Sequence, residues 1–238
     1  MDAAKPIPVR ERLIVALDVP SAPEARALVT RLGDAVLFYK VGLELFTAEG
    51  YFELVEWLGE HGKRVFVDLK FFDVPETVRG AVRNLHDRGV AFATVHGNQR
   101  MMEAAAAEKA GMKILAVTAL TSLDRGDLDD LGFQCDVGHL VLSRARRALE
   151  AGCDGVVSSG LEAPLLRREL GARILIVTPG IRPVENRPLD DQKRTVDVAQ
   201  AFANGADYIV IGRPIRQSPD PRAAAESIQA TIAATFSR

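Results

Sequence analysis

The stretch "VFVDLKFFDVPETV", residues 65–78, combines the apolar pattern of a strand with three charged positions. Side chains alternate along a strand, so Asp68 and Lys70 are expected on one face, and Asp73 follows just past the predicted strand end. Charges in an apolar strand are costly unless they are paired. The three residues are therefore either a satisfied ion network with a structural role or groups held together for chemistry.

The chain contains eight apolar runs of this kind, and each ends near polar residues or glycine. They are "LIVALDV" (13–19), "VLFYKVG" (36–42), "RVFVDLK" (64–70), "AFATVHG" (91–97), "KILAVTAL" (113–120), "DGVVSSG" (154–160), "RILIVTPG" (173–180) and "DYIVIGR" (207–213). Segments with helical periodicity separate the runs, and several end in glycine, as helix C-termini commonly do. Apolar strands that alternate with helices predict a parallel sheet buried on both faces.

Eight strand–helix units of roughly 30 residues each predict a single α/β domain, a (β/α)8 TIM barrel, over residues 13–238. An open doubly wound sheet is the alternative, but it usually has fewer strands. No Gly-x-Gly-x-x-Gly motif follows the first run. Residues 1–12 are polar and contain proline, so we expect a loose N-terminal tail there.

The composition argues against several classes of protein. A net charge of −2 provides no overall basic field for nucleic acid. No apolar run approaches the ~18 residues of a membrane span, and residues 1–12 lack the apolar segment of a signal peptide. The only cysteines, Cys135 and Cys153, are too few for a disulfide framework or a metal motif. We therefore expect a cytoplasmic protein that binds neither nucleic acid nor membranes.

The predicted barrel concentrates polar residues at one end. Chemistry in this fold takes place at the C-terminal ends of the strands. Because Asp18, Lys40, Asp68 and Lys70 end the first three strands, we expect them to face one another across the barrel mouth. The other polar residues at predicted strand ends are His96, Thr121, Ser158, Thr178 and Arg213.

Sequence blocks along most of the chain resemble the orotidine 5′-phosphate decarboxylase family. The block "DLKFFDVPETV" (68–78) resembles that family's Asp-x-Lys-x-x-Asp motif. Other blocks match in the family's order, namely "ALDV" (16–19), "KVGLELF" (40–46), "AVTALTS" (116–122), "VTPGIRP" (177–183), "DDQKR" (190–194) and "VIGRPI" (210–215). The resemblance covers residues 13–221, and the combination of blocks is highly specific.

The resemblance implies removal of CO2 from orotidine 5′-monophosphate (OMP) to give UMP, with no metal and no organic cofactor. The reaction creates a carbanion at C6 of the pyrimidine without an electron sink, so fixed charges have to stabilise it. By resemblance, Lys70 offsets this charge and donates the proton that replaces CO2. Asp68 faces the substrate carboxylate, and Asp73 and Lys40 complete an alternating chain of charges.

The resemblance also implies the substrate contacts. Arg213 and the backbone of Gly212 hold the phosphate, which Gln192 bridges to the base. The loop 181–195 is long for a strand–helix connection and is expected to act as a lid. The expected substrate-binding residues are Asp18, Lys40, Asp68, Thr77, Thr121, Ser122, Pro179, Arg182, Gln192, Gly212 and Arg213.

Family members place the equivalent of Asp73, with Thr77 beside it, into the neighbouring subunit's site, which implies a homodimer. The chain departs from the family pattern at Phe72, where histidine is frequent, and at Glu76, where asparagine is frequent. The segment "VHGNQRMM" (95–102) is also shorter than the usual glycine-rich version. None of these departures changes a charged catalytic position.

Structural explanations stay open for several residues. Asp73 could be a helix N-cap, with Pro75 in the first turn and Glu76 as the capping-box acid. Asp68 and Lys70 could be a purely structural ion pair, and Asp18 could cap the next helix. His96 is expected to be a hydrogen-bonded barrel residue. The acidic residues expected on a solvated loop face, not in a metal site, are Asp124, Asp127, Asp129 and Asp130.

Two other functions stay open as well. Related barrels share Asp-x-Lys-x-x-Asp but decarboxylate or condense sugar phosphates with a divalent metal, and they carry a glutamate ligand near the end of the second strand. This chain has Lys40 there, which repels a cation. The chain could also be a non-catalytic nucleotide-binding barrel, although intact Asp68, Lys70 and Asp73 argue against it.

We expect activity on OMP to survive exhaustive treatment with a chelator, because Lys40 stands where the metal-using relatives keep a carboxylate. The absorbance change on incubating the protein with OMP, with and without chelator, measures this. Loss of turnover that Mg²⁺ restores would place the protein in the sugar-phosphate branch instead.

Overall fold

The computed structural model describes residues 7–120, 123–181 and 196–237, and within these ranges eight parallel strands close into a barrel. Each strand pairs with the next one along the chain, and the last pairs with the first, with Leu13 opposite Ile209. The strands are β1 Leu13–Ala16, β2 Phe38–Gly42, β3 Arg64–Phe71, β4 Val90–His96, β5 Lys113–Val117, β6 Gly155–Val157, β7 Leu175–Thr178 and β8 Tyr208–Ile211. All eight coincide with the predicted apolar runs, with β3 ending one residue later and β4 beginning one residue earlier than predicted, so the predicted (β/α)8 barrel is confirmed.

Helices follow the strands and cover the outside of the barrel. The described α-helices are α1 Ala22–Leu32, α2 Leu43–Phe46, α3 Tyr51–Glu60, α4 Pro75–Arg83, α5 Gln99–Ala107, α6 Arg125–Asp130, α7 Val137–Glu150, α8 Ala163–Leu170, α9 Val198–Ala203, α10 Arg213–Arg216 and α11 Pro221–Phe236. Short 3-10 helices occupy Val9–Glu11, Gly33–Ala35, His86–Arg88 and Gly171–Arg173. Within the described ranges, no helix has the length and apolar character needed to cross a membrane.

Apolar side chains fill the inside of the barrel below a group of polar side chains at its mouth. Phe38, Phe66 and Phe92, from β2, β3 and β4, pack there with Tyr208, and the Phe38 and Phe92 ring centroids are 4.9 Å apart. Because side chains alternate, the residue two positions further along each strand also points inward. Those residues are Lys40, Asp68 and Thr94. These aromatic side chains thus close the barrel below its mouth, and the polar side chains lie directly above them. We call this aromatic layer the floor of the cavity.

Strand β3 becomes irregular just where its charged residues begin. Val67 pairs with Ala93 and Phe71 with Val95, so β3 has two more residues than β4 between these pairs. Lys70 lies within this bulge with a φ of 51°, in the left-handed region that non-glycine residues seldom adopt. The regular alternation predicted for Asp68 and Lys70 therefore holds only up to Asp68, and the bulge sets the direction of Lys70.

The predicted loose tail, residues 1–12, needs correction over its described part. Val9–Glu11 form a 3-10 helix, and Glu11 makes an ion pair with Arg64 at the start of β3. The Arg12 guanidinium donates a hydrogen bond of 3.0 Å to the carbonyl of Asp207. These contacts hold residues 9–12 against the N-terminal side of the barrel. Residues 1–6 lie outside the described residues.

Candidate active site

A cavity of about 450 Å³ opens at the C-terminal ends of the strands. Seven residues predicted for the site line it, namely Asp18, Lys40, Asp68, Lys70, Pro179, Gly212 and Arg213. Apolar side chains supply much of the remaining wall: Ala16, Phe66, Val117, Val157 and Val210. The structure therefore brings together charged groups from β1, β2, β3 and the β8–α10 junction around one partly apolar chamber.

Four of these residues form an alternating chain of charges, here called the charge cluster (Asp18, Lys40, Asp68 and Lys70). Lys40 Nζ lies 3.0 Å from Asp18 Oδ1 and 3.6 Å from Asp68 Oδ2. Lys70 Nζ lies 3.0 Å from Asp68 Oδ1. Asp68 is only 9% exposed and contacts both ammonium groups, which makes it the shared counterion of the cluster.

The absence of a side chain at Gly42 makes room for the Lys40 ammonium. Gly42 pairs with Asp68 across β2 and β3, and a Cβ at Gly42 would lie 3.1 Å from Lys40 Nζ. Lys40 therefore extends along its own strand, past Gly42, to reach the carboxylates at the mouth. This geometry explains why a lysine that begins two residues deeper still contacts Asp68.

The cluster favours the charged forms of its two central members, Asp68 and Lys40. Burial alone would raise the pKa of Asp68, but the adjacent Lys40 and Lys70, with a hydrogen bond from Thr94, bring that pKa below its usual value. Burial likewise acts to lower the pKa of Lys40, and Asp68 and Asp18 outweigh it, so that pKa is raised. The two central charges, on Lys40 and Asp68, are thus mostly buried, whereas the outer side chains of Asp18 and Lys70 are 45% and 31% exposed.

A second group of cations lies where β8 meets α10. Gly212 is the residue before α10, and Arg213 and Arg216, three residues apart in that short helix, both line the cavity. Gly212 also lies beside the cluster, because a Cβ there would be 3.5 Å from Asp18 Oδ2. Arg216 was missed in the sequence, although its spacing of three from Arg213 was a usable signal.

Asp73 and Thr77 do not lie among the described residues that line this cavity. Both are exposed on a neighbouring surface groove that contains Leu43, Phe46 and Phe72. Lys70 borders the cavity and this groove alike. Large apolar side chains are exposed on the same surface, Phe72 by 60% and Val74 by 63%.

The capping explanation for Asp73 is wrong. Val74 is the N-cap of α4, Pro75 is its first residue, and no side chain caps this end. Asp73 lies one position too early for that role, and its Oδ1 accepts a hydrogen bond of 2.6 Å from the Val74 amide. Asp18 is not a cap either, because Ser21 is the N-cap of α1 and accepts from the Glu24 amide.

Two further expectations need correction. His96 Nδ1 is buried and has no hydrogen-bond partner among the described residues, and the ring packs against Phe72 with centroids 4.6 Å apart. The acidic segment after Ser122 is a helix, not a loop, since Asp124 and Asp127 form a capping box at the start of α6. In the described ranges no group of three or more His, Cys, Asp or Glu side chains could hold a metal ion.

Several predicted site residues lie outside the described residues. They are Thr121, Ser122, Arg182 and Gln192, together with residues 182–195 of the predicted lid. Their contacts stay predictions.

Sequence reasoning did not predict the apolar wall of the cavity, although strand alternation was a usable signal. Ala16, Phe66 and Val210 each precede a predicted site residue by two positions and therefore share its face of the strand.

Comparisons with known proteins give a consistent result. The profile of the family described as orotidine 5′-phosphate decarboxylase / HUMPS matches residues 11–228. The orotidine 5′-phosphate decarboxylase of Methylococcus capsulatus is 68% identical over 232 residues, covering 98% of this chain and 96% of that protein. The protein of the same name from Xanthomonas campestris is 53% identical, covering 96% and 95%. The crystal structure of the Lactobacillus acidophilus orotidine 5′-phosphate decarboxylase superposes with a TM-score of 0.82 at 34% identity, covering 93% of this chain and 99% of that one.

We expect Asp68→Asn to lower the free energy of unfolding by about 3 kcal/mol at pH 7, because Lys40 and Lys70 lose their shared counterion. The pKa of Asp68 is lower in the folded protein than in the unfolded chain. Its stabilisation is therefore complete above the unfolded value of about 4 and is lost as the pH falls through the folded value. Urea unfolding of both proteins from pH 7 down to pH 3 measures the difference.

The control for this prediction is Asp129→Asn, which breaks an exposed pair with Arg125 whose side chains are 55% and 53% exposed. Its effect should stay below about 0.5 kcal/mol at every pH. A difference for Asp68→Asn that keeps its full size down to pH 3 would show that the carboxylate charge is not what stabilises the cluster.

Proposed function

The chain belongs to the orotidine 5′-phosphate decarboxylase / HUMPS family, and we propose that it removes CO2 from OMP to give UMP. The observation that supports this best is the charge cluster, in which Asp68 and Lys70 lie 3.0 Å apart at the mouth of a partly apolar chamber. The high identity to relatives of that name over nearly the whole chain agrees with it.

We propose that Lys70 is the proton donor. In the reaction, the bond between C6 and the carboxylate carbon breaks, CO2 leaves and the electron pair stays on C6. The Lys70 ammonium, held by Asp68, then transfers a proton to C6 and regains one from water. Before that transfer, its positive charge stabilises the carbanion, and the apolar wall strengthens this interaction because it lowers the local dielectric.

Asp68 and Lys40 would act on the charges around the reacting carbon. Asp68 holds Lys70 and faces the substrate carboxylate, whose repulsion is relieved as CO2 departs. Lys40 lies between Asp68 and Asp18 and contacts both carboxylates, and together with Asp18 it is proposed to bind the ribose hydroxyls. These roles use the four groups as one unit.

The phosphate would bind at the cationic side of the chamber, where β8 meets α10. Arg213, with the backbone of Gly212, is proposed to hold it, and Arg216 adds a second positive charge on the same wall. The resemblance supplies the remaining proposed contacts: Thr121, Ser122, Arg182 and Gln192 to base, ribose and phosphate, and loop 181–195 as the lid. Pro179 lines the chamber after β7.

The other candidate functions have less support. A metal-dependent sugar-phosphate enzyme needs a cation beside these carboxylates, and Lys40 and Lys70 already lie against Asp68. A non-catalytic nucleotide-binding barrel would not need two ammonium groups around one buried carboxylate. Both alternatives predict no turnover of OMP.

A homodimer with shared sites is the proposed assembly. Asp73 and Thr77 lie outside the cavity in one protomer, beside exposed Phe72, Val74 and Leu43. A second copy that covered this apolar surface would remove it from water and bring the partner's Asp73 toward Lys70, which borders both regions.

We further propose that residues 13–238 form one catalytic domain. A cytoplasmic location is also proposed, because Cys135 and Cys153 are both free thiols.

Lys70→Ala is expected to lower kcat for OMP by at least about 10⁴-fold, because the main electrostatic group and the proton donor are lost together. Affinity for UMP should fall much less, since the product carries no carbanion. Spectrophotometric turnover and calorimetric binding of UMP provide the two measurements.

The matched control is Lys109→Ala, which removes a paired lysine that contacts Asp154 away from the cavity. Its kcat should stay near that of the parent. Turnover by Lys70→Ala within about tenfold of the parent, equal to about 1.4 kcal/mol of barrier, would rule Lys70 out as the proton donor.

Subunit complementation tests the shared site. Homodimers of Lys70→Ala and of Asp73→Asn should both be inactive, whereas a heterodimer purified through two different tags should have about half the parental turnover. One of its two sites then combines an intact Lys70 with the partner's intact Asp73. An inactive heterodimer would mean that Asp73 serves the site of its own subunit, or that the protein is not a dimer of this kind.

A further inference from the structure

Thr94 is a polar residue in an apolar strand, "VAFATVH", and none of the site predictions included it. It follows Phe92 by two positions on β4, so it points into the barrel just above the aromatic floor. The residue is 1% exposed. A hydroxyl so deeply buried is costly unless it is hydrogen-bonded, so its partners decide what it does.

The Thr94 hydroxyl contacts two members of the charge cluster. Thr94 Oγ1 accepts a hydrogen bond of 2.9 Å from the backbone amide of Lys70. The same oxygen donates one of 3.0 Å to Asp68 Oδ1, the oxygen that also receives the Lys70 ammonium. One atom on β4 therefore joins the Lys70 backbone to the Asp68 carboxylate.

The direction of both bonds follows from the chemistry of the groups. A backbone N–H can only donate, so Thr94 Oγ1 has to accept from Lys70. An ionised carboxylate can only accept, so the single hydroxyl proton points to Asp68. This fixed direction means that the hydroxyl cannot be replaced by an apolar group without leaving a donor or an acceptor unpaired.

The location of the bulge explains why β3 needs this contact. The two extra residues of β3 between Val67 and Phe71 interrupt its pairing with β4, and Lys70 adopts its left-handed backbone there. The Thr94 side chain takes the place of the interrupted ladder bond for the Lys70 amide. The main-chain direction from which the Lys70 side chain departs is thus fixed from the neighbouring strand.

We propose that Thr94 is a positioning residue for the decarboxylation, a role that rests on the proposed function. Thr94 is not among the described residues that line the cavity, so it acts through Asp68 and Lys70 and not on the substrate. It holds the Lys70 ammonium and the Asp68 carboxylate in one fixed relation to C6. Proton donors must be within a few tenths of an ångström of the right place to be effective.

Three variants test the role. Thr94→Val keeps the shape and removes both hydrogen bonds, and Thr94→Ser keeps the hydroxyl. Thr118→Val removes a buried hydroxyl whose partner among the described residues is the Val157 carbonyl. We expect Thr94→Val to lower kcat between about 10- and 100-fold, the loss of one charged hydrogen bond in the transition state. Thr94→Ser and Thr118→Val should stay within about threefold, and UMP affinity should change by less than about threefold in all three.

A measurement without substrate completes the test. Deuterium exchange at the Lys70 amide, followed by NMR, should become at least about tenfold faster in Thr94→Val and stay near the parental rate in Thr94→Ser. If the parent protein does not turn over OMP, the proposed function fails, and this exchange rate still decides whether Thr94 positions Lys70. Thr94→Ala replaces Thr94→Val if the valine variant does not fold.

Three results would overturn the proposal. The first is a kcat for Thr94→Val within about threefold of the parent. The second is an equal loss of kcat in Thr94→Ser or Thr118→Val, which would indicate a general effect on the core. The third is a Lys70 amide whose exchange does not respond to removal of the hydroxyl.

Discussion

The ion pairs of Asp68 are the interaction on which the rest of the site depends. This carboxylate is buried at the mouth of the barrel, where an unpaired charge would be strongly destabilising. Lys40 and Lys70 contact its two oxygens, and Asp18 holds Lys40 from the other side. Lys40 and Asp68 each contact two opposite charges, so removal of Lys40 would leave Asp18 without its partner in the cluster, and removal of Asp68 would do the same to Lys70. The cluster therefore fixes side chains from β1, β2 and β3 in a single arrangement.

The barrel supplies the conditions for this arrangement. Phe38, Phe66 and Phe92 fill its interior below the charges, so the cluster rests on a floor that admits little water. Two positions further along the same strands, the inward-pointing residues are polar. Gly42 leaves space for the Lys40 ammonium, and the β3 bulge directs Lys70. The apolar floor, the space at Gly42 and the bulge in β3 thus all contribute to holding four charges within contact distance.

The fold could be predicted from the sequence because its signal is repeated eight times. The first-strand charge Asp18 and the pair Asp68–Lys70 were also predictable, since strand ends meet at one rim. The left-handed backbone of Lys70 was not, because a bulge depends on the register against β4 and leaves no local pattern. The local pattern "DVPE" predicted Asp73 as an N-cap, but the helix starts one residue later than that pattern requires. Thr94 matters only through partners on another strand.

The charge balance of the cluster explains why a substrate would need a second group, away from the reacting carbon, that contributes binding energy. Before binding, the two carboxylates and two ammonium groups of the cluster nearly cancel. In the proposed reaction, the substrate carboxylate adds a negative charge beside Asp68, which opposes binding at that end. The proposed contacts of the phosphate with Arg213 and Arg216, which line the cavity, would offset this cost without touching the reacting bond. Once CO2 leaves, the negative charge passes to C6, next to Lys70, where it is stabilised. The unfavourable contact exists in the ground state and the favourable one in the transition state, and a difference of that kind raises kcat.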